Sequence, residues 1–458
     1  LLVSYEFTYA PFSGNGMLAR SIARSLLSAG CSLAVLCSRP APDVPSLSPD
    51  NPLVPPEIPP SASLLVLPVQ LATADGWRRL DDQSAFTSFW DAAEGFTALV
   101  SEWMPEVVLA VDWTGAGAWR RLRKALCLDS PPKLCYLNFR VYASGASPET
   151  AGWFNEVESA ALRDADLVLS LSPADQRSLT ALQQGGAAAS PIHVLIPPLR
   201  GDIEALALAP PRPSSGREGT GVALPSALSR ALASPHSSEK EPIVFARFVE
   251  RAAGRLRRLG LTPLLFGANA EPAYSLEVRR RLLAAFPEAV VIEDFMQPQA
   301  LAASFSATAL NFHPCRYDAY GMSIVEAAAF GAPSVMNGGA SIGASQLLPA
   351  KAGGSFEISM ANEEQMAQVS LTSEIRMHRQ ASQRRQETDN CIFLRLQDVM
   401  DILEDAARLT SVGTKARELA LQWSEDAYGE TLLSHLHQLI EGTQSVLRFK
   451  RRHSSGTT

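Results

Sequence analysis

The sequence predicts an α/β protein with two doubly wound domains. Its 458 residues exceed what one compact core usually holds. Short apolar runs alternate with amphipathic stretches through the first third, and the same alternation resumes after residue 238. This strand–helix–strand order is typical of parallel sheets with right-handed crossovers. The stretch 203–238 is rich in Ala, Pro, Ser and Gly, which favours a linker or an insertion between the domains.

These features divide the chain into five segments. We expect a first domain over 1–200, a low-complexity linker over 201–238 and a second domain over 239–390. Helices with polar faces are expected over 391–446, and a flexible tail over 447–458.

Apolar runs and helical spacing place the elements of the first domain. A buried strand is predicted over 1–5, and a helix over 17–29, which ends at Gly30. The proline-dense stretch 39–60 contains few helix formers and is interpreted as a surface excursion. The remaining elements are predicted as strands over 32–37, 107–111, 134–137, 167–171 and 193–196, and as a helix over 155–163.

The second domain begins with a helical stripe. Its apolar residues repeat at helical intervals between Phe245 and Leu259. Ser238 and Glu241 have the spacing of a capping box for this helix. The elements that follow are predicted as strands over 263–266, 289–292, 309–312 and 333–336, as helices over 275–285, 298–306 and 322–330, and as closing helices over 361–407 and 412–446.

Composition narrows the classes of function. The formal charge of −7 argues against a nucleic-acid binder, because no basic face would offset phosphate repulsion. Six cysteines without a Cys-x-x-Cys pair, together with scattered histidines, predict thiols in a reducing compartment and no metal site. No run reaches the ~18 apolar residues that a membrane span needs. We therefore expect a cytoplasmic protein with neither a metal nor a transmembrane span.

The most informative stretch of the chain is 311–335. A strand is predicted to end near Phe312, a loop carries Asp318 and Gly321, and a helix begins near Ser323. In open α/β sheets, ligands bind beyond the carboxyl ends of the strands. A glycine there lets the backbone approach a ligand, and the amides of a helix start attract phosphate. Asp318 is thus a candidate to hold sugar hydroxyls, and Glu326, one turn inside the helix, a candidate to hold a ribose diol.

A purely structural interpretation stays open beside this one. Ser323 and Glu326 also have the spacing of a capping box, in which Glu326 would only close the helix start. Asp318 would then be an ordinary loop residue. The residues alone favour neither interpretation.

The stretch resembles the E-x7-E signature of retaining GT-B glycosyltransferases related to glycogen and sucrose synthases. Asp318 stands at the first acidic position in place of Glu, and Glu326 stands at the second; Gly331 and Pro333 complete the pattern. The resemblance implies two Rossmann-like domains facing a cleft, with Asp318 facing the transferred sugar and Glu326 the ribose. The rest of the implied donor-binding loop is Tyr320, Gly321, Met322 and Ser323.

Parts of the first domain resemble the same family. Gly14 and Gly16 lie between the first predicted strand and helix, where the family has a glycine-rich loop against donor and acceptor. Asp112, followed by Trp113, resembles the His-Asp-Trp stretch of the family. Arg140 replaces the histidine that many members place beside the sugar. Glu158 and Ser172 resemble a Glu…Ala-Asp…Ser run that precedes the second domain.

The phosphate-binding basic pair departs from the family pattern. The family has an arginine at a strand end and a lysine five residues later, where a helix opens. Lys240 fits the lysine, but Pro235 stands five residues before it. Either Arg230 serves across a longer loop, or the insertion replaces the strand. Arg247 and Arg251 fall within the helical stripe and fit less well.

The resemblance implies transfer of a hexose-type sugar from a nucleoside diphosphate donor, such as a UDP-sugar, with retention of configuration. Asp318, Glu326 and Lys240 would be the catalytic residues, and no cofactor or metal is required. The acceptor would be a sugar, a lipid or another small molecule, and peripheral association with a membrane or a protein stays open. Two alternatives remain: an epimerase or a glycan phosphorylase on the same scaffold, and a catalytically degenerate subunit or scaffold, which the missing arginine and the insertion favour.

Overall fold

The protein folds as two compact units, seen in a computed structural model. One unit comprises Leu1–Arg200 together with Ser424–Thr458, and the other comprises Gly201–Trp423. The structure describes residues 1–8, 14–39, 54–55, 58, 61, 63–71, 84–128, 130–144, 148–183, 190–209, 231–235, 240–267, 272–293, 296–338, 341–358, 360 and 397–454.

The first unit is built on one parallel sheet. Its strands are β1 Leu2–Ser4, β2 Leu33–Arg39, β3 Leu64–Gln70, β4 Val107–Val111, β5 Lys133–Asn138, β6 Leu167–Ser170 and β7 Ile192–Val194. Within the described residues they are ordered β3-β2-β1-β4-β5-β6-β7, and every pairing is parallel. The helices between them are α1 Gly14–Ser28, α2 Ser84–Ala93, α3 Thr97–Trp103, α4 Asp112–Leu126, α5 Pro148–Asp164 and α6 Pro173–Gln183. This doubly wound order confirms the predicted α/β class.

The apolar runs of the first unit form its core as expected. Val3, Ala110 and Tyr136, on the three neighbouring strands β1, β4 and β5, are fully buried. The edge strand β3 was not predicted, and its partly exposed sequence contains Pro68, whose missing N–H an edge strand tolerates on its unpaired side. Most of the stretch 39–60 lies outside the described residues.

The second unit contains another parallel sheet. Its elements are α7 Gly201–Leu208, β8 Ala231–Pro235, α8 Pro242–Arg258, β9 Thr262–Phe266, α9 Pro272–Ala285, β10 Val290–Ile292, α10 Pro298–Ser306, β11 Thr308–His313, β12 Tyr317–Asp318, α11 Met322–Ala329, β13 Ser334–Asn337, β14 Ser341–Ile342 and β15 Phe356–Ile358. In the described part of this unit the large sheet is ordered β10-β9-β8-β11-β13-β15, and β12 pairs with β14 in a small sheet of their own.

Two elements lie where the sequence predicts a linker. Residues 201–208 form α7, and β8 pairs in parallel with β9 on one side and β11 on the other. The linker prediction is therefore wrong for these residues, whereas 210–230 and 236–239 lie outside the described chain. The strand escaped notice because its sequence, Ala-Leu-Ala-Ser-Pro, has none of the β-branched or aromatic residues that mark strands.

The start of α8 also differs from its prediction. The helix begins at Pro242, and Glu241 is its N-cap residue, with φ 51° and no capping hydrogen bond from its side chain. Glu241 therefore cannot be the third helical residue of a capping box, and that prediction is wrong. Ser238 lies outside the described residues.

The closing helices are shared between the two units. Residues 397–404 and Ala406–Gln422 are helical within the second unit, and Glu425–Ser454 is helical within the first. The last helix continues past residue 447, where a flexible tail was predicted. No helix among the described residues is long and apolar enough to cross a bilayer.

Candidate functional site

The candidate site of the second unit lies where its strand order reverses. The neighbours β8 and β11 are joined to opposite flanks of the sheet, so the loops that follow them diverge. Lys240 follows β8, whereas His313 ends β11 and Asp318 lies in the loop beyond. Ligands of open α/β sheets bind at this kind of position.

The loop between β11 and α11 is closed by the Asp318 side chain. Its Oδ1 accepts hydrogen bonds from the backbone N–H of Gly321, at 2.9 Å, and of Tyr320, at 3.4 Å. Gly321 has φ 87°, a left-handed conformation that favours glycine, and it is the N-cap residue of α11. The chain can therefore turn directly from the loop into the helix.

A second segment holds this loop from outside. Tyr317 and Asp318 pair with Ser341 and Ile342 in the small parallel sheet, and the N–H of Ser341 donates to the Arg316 carbonyl at 2.8 Å. Beyond that sheet, Gly343 packs directly against the loop: a Cβ there would lie 2.2 Å from the carbonyl oxygen of Ala319. Contacts within the protein thus fix the conformation of the loop.

The other oxygen of Asp318 meets a cation and an imidazole. Its Oδ2 lies 2.5 Å from Lys240 Nζ and 3.1 Å from His313 Nε2. Burial tends to raise the pKa of Asp318, but the Lys240 ammonium and the His313 hydrogen bond outweigh burial and hold that pKa below its ordinary value. Asp318 is therefore a carboxylate at neutral pH, with both oxygens engaged.

The structure thus brings together two of the predicted catalytic residues, Lys240 and Asp318. In this arrangement Asp318 fixes the loop and pairs with the lysine. A contact between Asp318 and a transferred sugar stays a prediction.

Glu326 lies inside α11 and does not cap it. The helix begins at Met322, and no side chain caps it. Ser323 is already the second helical residue, so the capping-box interpretation of Ser323 and Glu326 is wrong. Glu326 is only 7% exposed, and burying a carboxylate is costly, so a structural interpretation by helix capping no longer accounts for it.

The start of α11 presents backbone N–H groups. The N–H groups of Ile324 and Val325 turn back to the Gly321 carbonyl, at 2.9 and 3.4 Å. Those of Met322 and Ser323 belong to the first turn, whose amides have no acceptor within a helix and favour an anion. Four of the predicted donor-binding residues, Tyr320, Gly321, Met322 and Ser323, therefore lie on one loop and one helix start.

One group in the described chain offers three metal-ligand atoms. His313, Cys315 and Asp318 hold theirs within 4.8 Å of one another. The Lys240 ammonium contacts the Asp318 carboxylate, and its positive charge would repel a divalent cation at the same oxygen. The residues fit a lysine better than a divalent ion.

The strand β8 and the helix α8 flank the position predicted for the phosphate-binding basic pair. Because β8 is present and ends at Pro235, the alternative that the insertion replaces this strand is wrong. Lys240 lies directly before α8, as predicted, and Arg247 and Arg251 lie inside that helix. Arg230 lies outside the described residues.

A second polar cluster lies in the first unit, again where the strand order reverses, between β1 and β4. Asn15 Nδ2 donates to Asp112 Oδ2 at 2.6 Å and to the Tyr142 hydroxyl at 3.0 Å. The Tyr142 hydroxyl donates to Asp112 Oδ2 at 3.0 Å, and the Phe139 N–H donates to Oδ1 at 2.7 Å. Asp112 has φ 50°, which is uncommon for a residue with a side chain and marks local strain.

This cluster explains part of the predicted glycine-rich loop. Gly14 and Gly16 are in the first turn of α1, and Asn15 between them reaches Asp112. Asn15 and Tyr142 were not predicted as site residues, because nothing in their spacing shows that they meet Asp112.

Of the three remaining predicted residues of the first unit, two contact Tyr142 of this cluster. Glu158 Oε1 accepts from the Tyr142 N–H at 2.7 Å, and the Arg140 guanidinium lies 5.5 Å from the centre of the Tyr142 ring. Ser172 instead has a local role, because its hydroxyl bonds both the carboxylate and the N–H of Asp175 at the start of α6.

The two buried carboxyls of the cluster predict a pH-dependent stability of the first unit. Burial raises the pKa of Asp112 to about 7 and that of Glu158 to about 7, from ordinary values near 4. Between about pH 4 and pH 7 the folded chain keeps protons that the unfolded chain has lost. The contribution of these groups to stability is therefore fully present below pH 4 and is lost as the pH rises through 7.

Glu158→Gln removes one of the two titrating groups. We expect its unfolding free energy to fall less than that of the wild type between about pH 5 and pH 8, measured by urea denaturation. Glu156→Gln, at an exposed position of the same helix, is the matched control and should keep the wild-type dependence. Parallel curves for all three proteins would show that Glu158 is ionised throughout.

Comparisons with known proteins agree with this architecture. A family model described as "Glycosyl transferase 4-like domain" matches residues 13–198. Sucrose-phosphate synthase from Thermosynechococcus elongatus is similar in structure, with a TM-score of 0.67 and 16% identity over 96% of this chain and 98% of that chain. HepE from Anabaena, solved with UDP and glucose, has a TM-score of 0.58 and 16% identity over 95% and 99% of the two chains.

A third similar structure is the alpha,alpha-trehalose 6-phosphate synthase from Burkholderia multivorans, with a TM-score of 0.63 and 11% identity over 98% of each chain. A search of curated protein sequences gave no match. The fold implied by the E-x7-E resemblance is thus confirmed, and the family model supports it independently of that signature, because the model matches residues that precede the signature. The chain has the GT-B fold, and its residues 13–198 match the glycosyl transferase 4-like family model.

Proposed function

We propose that the chain is a glycosyltransferase that moves a hexose-type sugar from a nucleoside diphosphate to an acceptor, with retention of configuration. The observation that carries the proposal is the pairing of Lys240 with Asp318 beside the first turn of α11. A lysine, a helix start and a glycine turn at the reversal point of a parallel sheet suit a diphosphate.

The chemistry of the leaving group explains why these residues are needed. Negative charge grows on the diphosphate as its bond to the sugar breaks. Fixed positive charge and oriented N–H groups stabilise that charge without rearranging during the reaction. Lys240 would supply the first, and the amides of Met322 and Ser323 the second. Glu326, buried one turn further along the helix, would bind the ribose diol.

Retention constrains the route of the acceptor. The acceptor oxygen would bond to the anomeric carbon on the face from which the diphosphate leaves. Its proton would pass to an oxygen of the departing diphosphate, so no protein nucleophile is needed. The sugar, lipid or other small acceptor would be bound by the first unit, where Asn15, Asp112 and Tyr142 form the second polar cluster.

A donor panel tests this function. HepE was solved with UDP and glucose, so UDP-glucose is the first donor to try, followed by GDP- and ADP-glucose. A donor present at 100 times its dissociation constant stabilises the chain by about 2.7 kcal/mol, which a thermal shift detects. A donor that shifts the melting temperature should then release its nucleoside diphosphate when sugar and sugar-phosphate acceptors are supplied.

The degenerate-scaffold alternative gives a different result in the same experiment. Both oxygens of Asp318 accept hydrogen bonds from protein groups. If these contacts persist when a donor is present, Asp318 has no oxygen left for the sugar, which favours the scaffold alternative. A scaffold that has lost donor binding would show no thermal shift with any member of the panel. Binding without transfer to any acceptor would leave a nucleotide-binding protein and overturn the catalytic proposal.

A further inference from the structure

His313 is a buried histidine at the end of β11 that neither the sequence signature nor the comparisons assign a role. Its side chain is 0% exposed, and its Nε2 lies 3.1 Å from Asp318 Oδ2. Its Nδ1 is buried and has no hydrogen-bond partner among the described residues. Buried polar groups usually have hydrogen-bond partners, and a structural histidine in a core usually satisfies both of its nitrogens. The contact of Nε2 with Asp318 is therefore the polar interaction that distinguishes His313.

The protonation state of His313 follows from its surroundings. Burial lowers the pKa of His313, and the nearby Lys240 ammonium lowers it further, although the Asp318 carboxylate opposes both. The imidazole is therefore neutral at neutral pH and carries one hydrogen. Because a carboxylate only accepts, that hydrogen lies on Nε2, and His313 donates to Asp318.

Asp318 connects His313, at the end of β11, with Lys240, which lies just before α8. The Gly321 N–H fixes one oxygen, at 2.9 Å, and His313 and Lys240 share the other. A lysine side chain has four carbon–carbon bonds that rotate, so its ammonium is placed by its partner rather than by its own backbone. The orientation of the Asp318 carboxylate therefore decides where the Lys240 charge lies.

We propose that His313 is a positioning residue of the donor site. Its Nε2–H fixes the rotation of the Asp318 carboxylate, and that carboxylate places the Lys240 ammonium for the donor diphosphate. The inference rests on the proposed function for the ligand, but the placement of Lys240 is a property of the protein without a ligand. A preorganised lysine binds a diphosphate more tightly because less side-chain freedom is lost on binding.

Three substitutions separate positioning from packing. In His313→Gln, the amide nitrogen reaches the place of Nε2 and keeps the donor. In His313→Asn, the amide nitrogen reaches only the place of Nδ1 and the donor to Asp318 is lost. His313→Leu removes every polar atom at similar bulk. Gln and Asn are both polar and both smaller than histidine, so their comparison stands even if the leucine variant does not fold.

The first readout is the dissociation constant of UDP, measured by isothermal titration calorimetry. Loss of a hydrogen bond to a charged group should weaken binding about tenfold in His313→Asn and His313→Leu, and His313→Gln should recover most of that loss. A double-mutant cycle with Asp318→Asn should show coupling, because His313 then has no carboxylate to orient. Additive effects, or equal binding by the Gln and Asn variants, would overturn the inference.

The second readout needs no donor. The rate at which a lysine-directed acylating reagent modifies Lys240, measured by peptide mass spectrometry, should rise severalfold in His313→Asn and stay near the wild-type rate in His313→Gln. Equal rates in the two variants would overturn the positioning role. A wild-type chain that binds none of the nucleotides would instead overturn the proposed function, and the acylation rates would then decide the role of His313 alone.

Discussion

Replacing Lys240 by alanine is expected to lower the proposed sugar transfer from a nucleoside diphosphate donor by about 100-fold to 1,000-fold, the usual cost of removing one fixed group that stabilises developing charge. The reason is local. Lys240 is the cation that contacts the Asp318 carboxylate at 2.5 Å, beside the turn that opens α11. Without Lys240, the leaving diphosphate of the proposed reaction would keep, among the groups of the described residues named above, the backbone amides of that turn. The turnover number with saturating donor and acceptor is the quantity to measure.

Two further variants make the Lys240 result specific. Lys240→Gln keeps an N–H donor for Asp318 without the charge. This variant should lose less stability than Lys240→Ala, because the buried carboxylate keeps a hydrogen-bond partner, but it should still lose transfer. Lys351→Ala removes an exposed lysine from the same unit and should be as active as the wild type. Circular dichroism and the melting temperature show that each variant is folded. If a folded Lys240→Ala variant has the wild-type turnover number, Lys240 does not contribute to transfer.

Replacing Gly343 by alanine destabilises the chain by about 1–3 kcal/mol, as other overpacked sites do, and lowers transfer by about 100-fold. The added Cβ would lie 2.2 Å from the Ala319 carbonyl oxygen and 2.9 Å from Tyr320 Cα. Both are backbone atoms, so they can give way only if the loop moves. That movement carries the adjoining Asp318 and Gly321 with it, and with them the start of α11.

Gly254→Ala is the matched control for Gly343→Ala. Gly254 lies inside α8 of the same unit, and the nearest atom to its added Cβ is the flexible end of Arg258, at 3.9 Å. Alanine there should stabilise the helix by about 0.5–1 kcal/mol and leave transfer unchanged. Urea denaturation and initial rates measure both effects. If Gly343→Ala has the stability and the rate of the wild type, the loop does not depend on the contact with Gly343.

The parts of the fold that the sequence predicts are those with a strong local pattern. The strand β11 and the helix α11 were placed to within one or two residues, because an apolar run, a glycine turn and a helical run follow one another there. The strand β8 was missed because Ala, Ser and Pro give no strand signal. Its position between β9 and β11 is set by pairing with distant strands, which a local pattern does not show.

The capping boxes failed for a common physical reason. Gly321 and Glu241 both precede their helices in a left-handed conformation, with φ 87° and 51°. Each helix therefore begins one or more residues away from where a capping box would place its start. Spacing alone does not show backbone conformation, so it could not decide between the two interpretations of Ser323 and Glu326.

The candidate site was predicted in part. Lys240 and Asp318 were identified by their resemblance to a family pattern, and the structure brings them together. His313 and Gly343 were not identified, since each matters only through a neighbour that folding brings near. The same holds for Tyr142 of the first unit, whose hydroxyl contacts Asp112.

A crystal structure of the chain with UDP-glucose tests the central claim most directly. That claim predicts the diphosphate within hydrogen-bond distance of Lys240 Nζ and of the backbone N–H groups of Met322 and Ser323, with the ribose at Glu326. A diphosphate bound at full occupancy away from Lys240 and the start of α11 would contradict it.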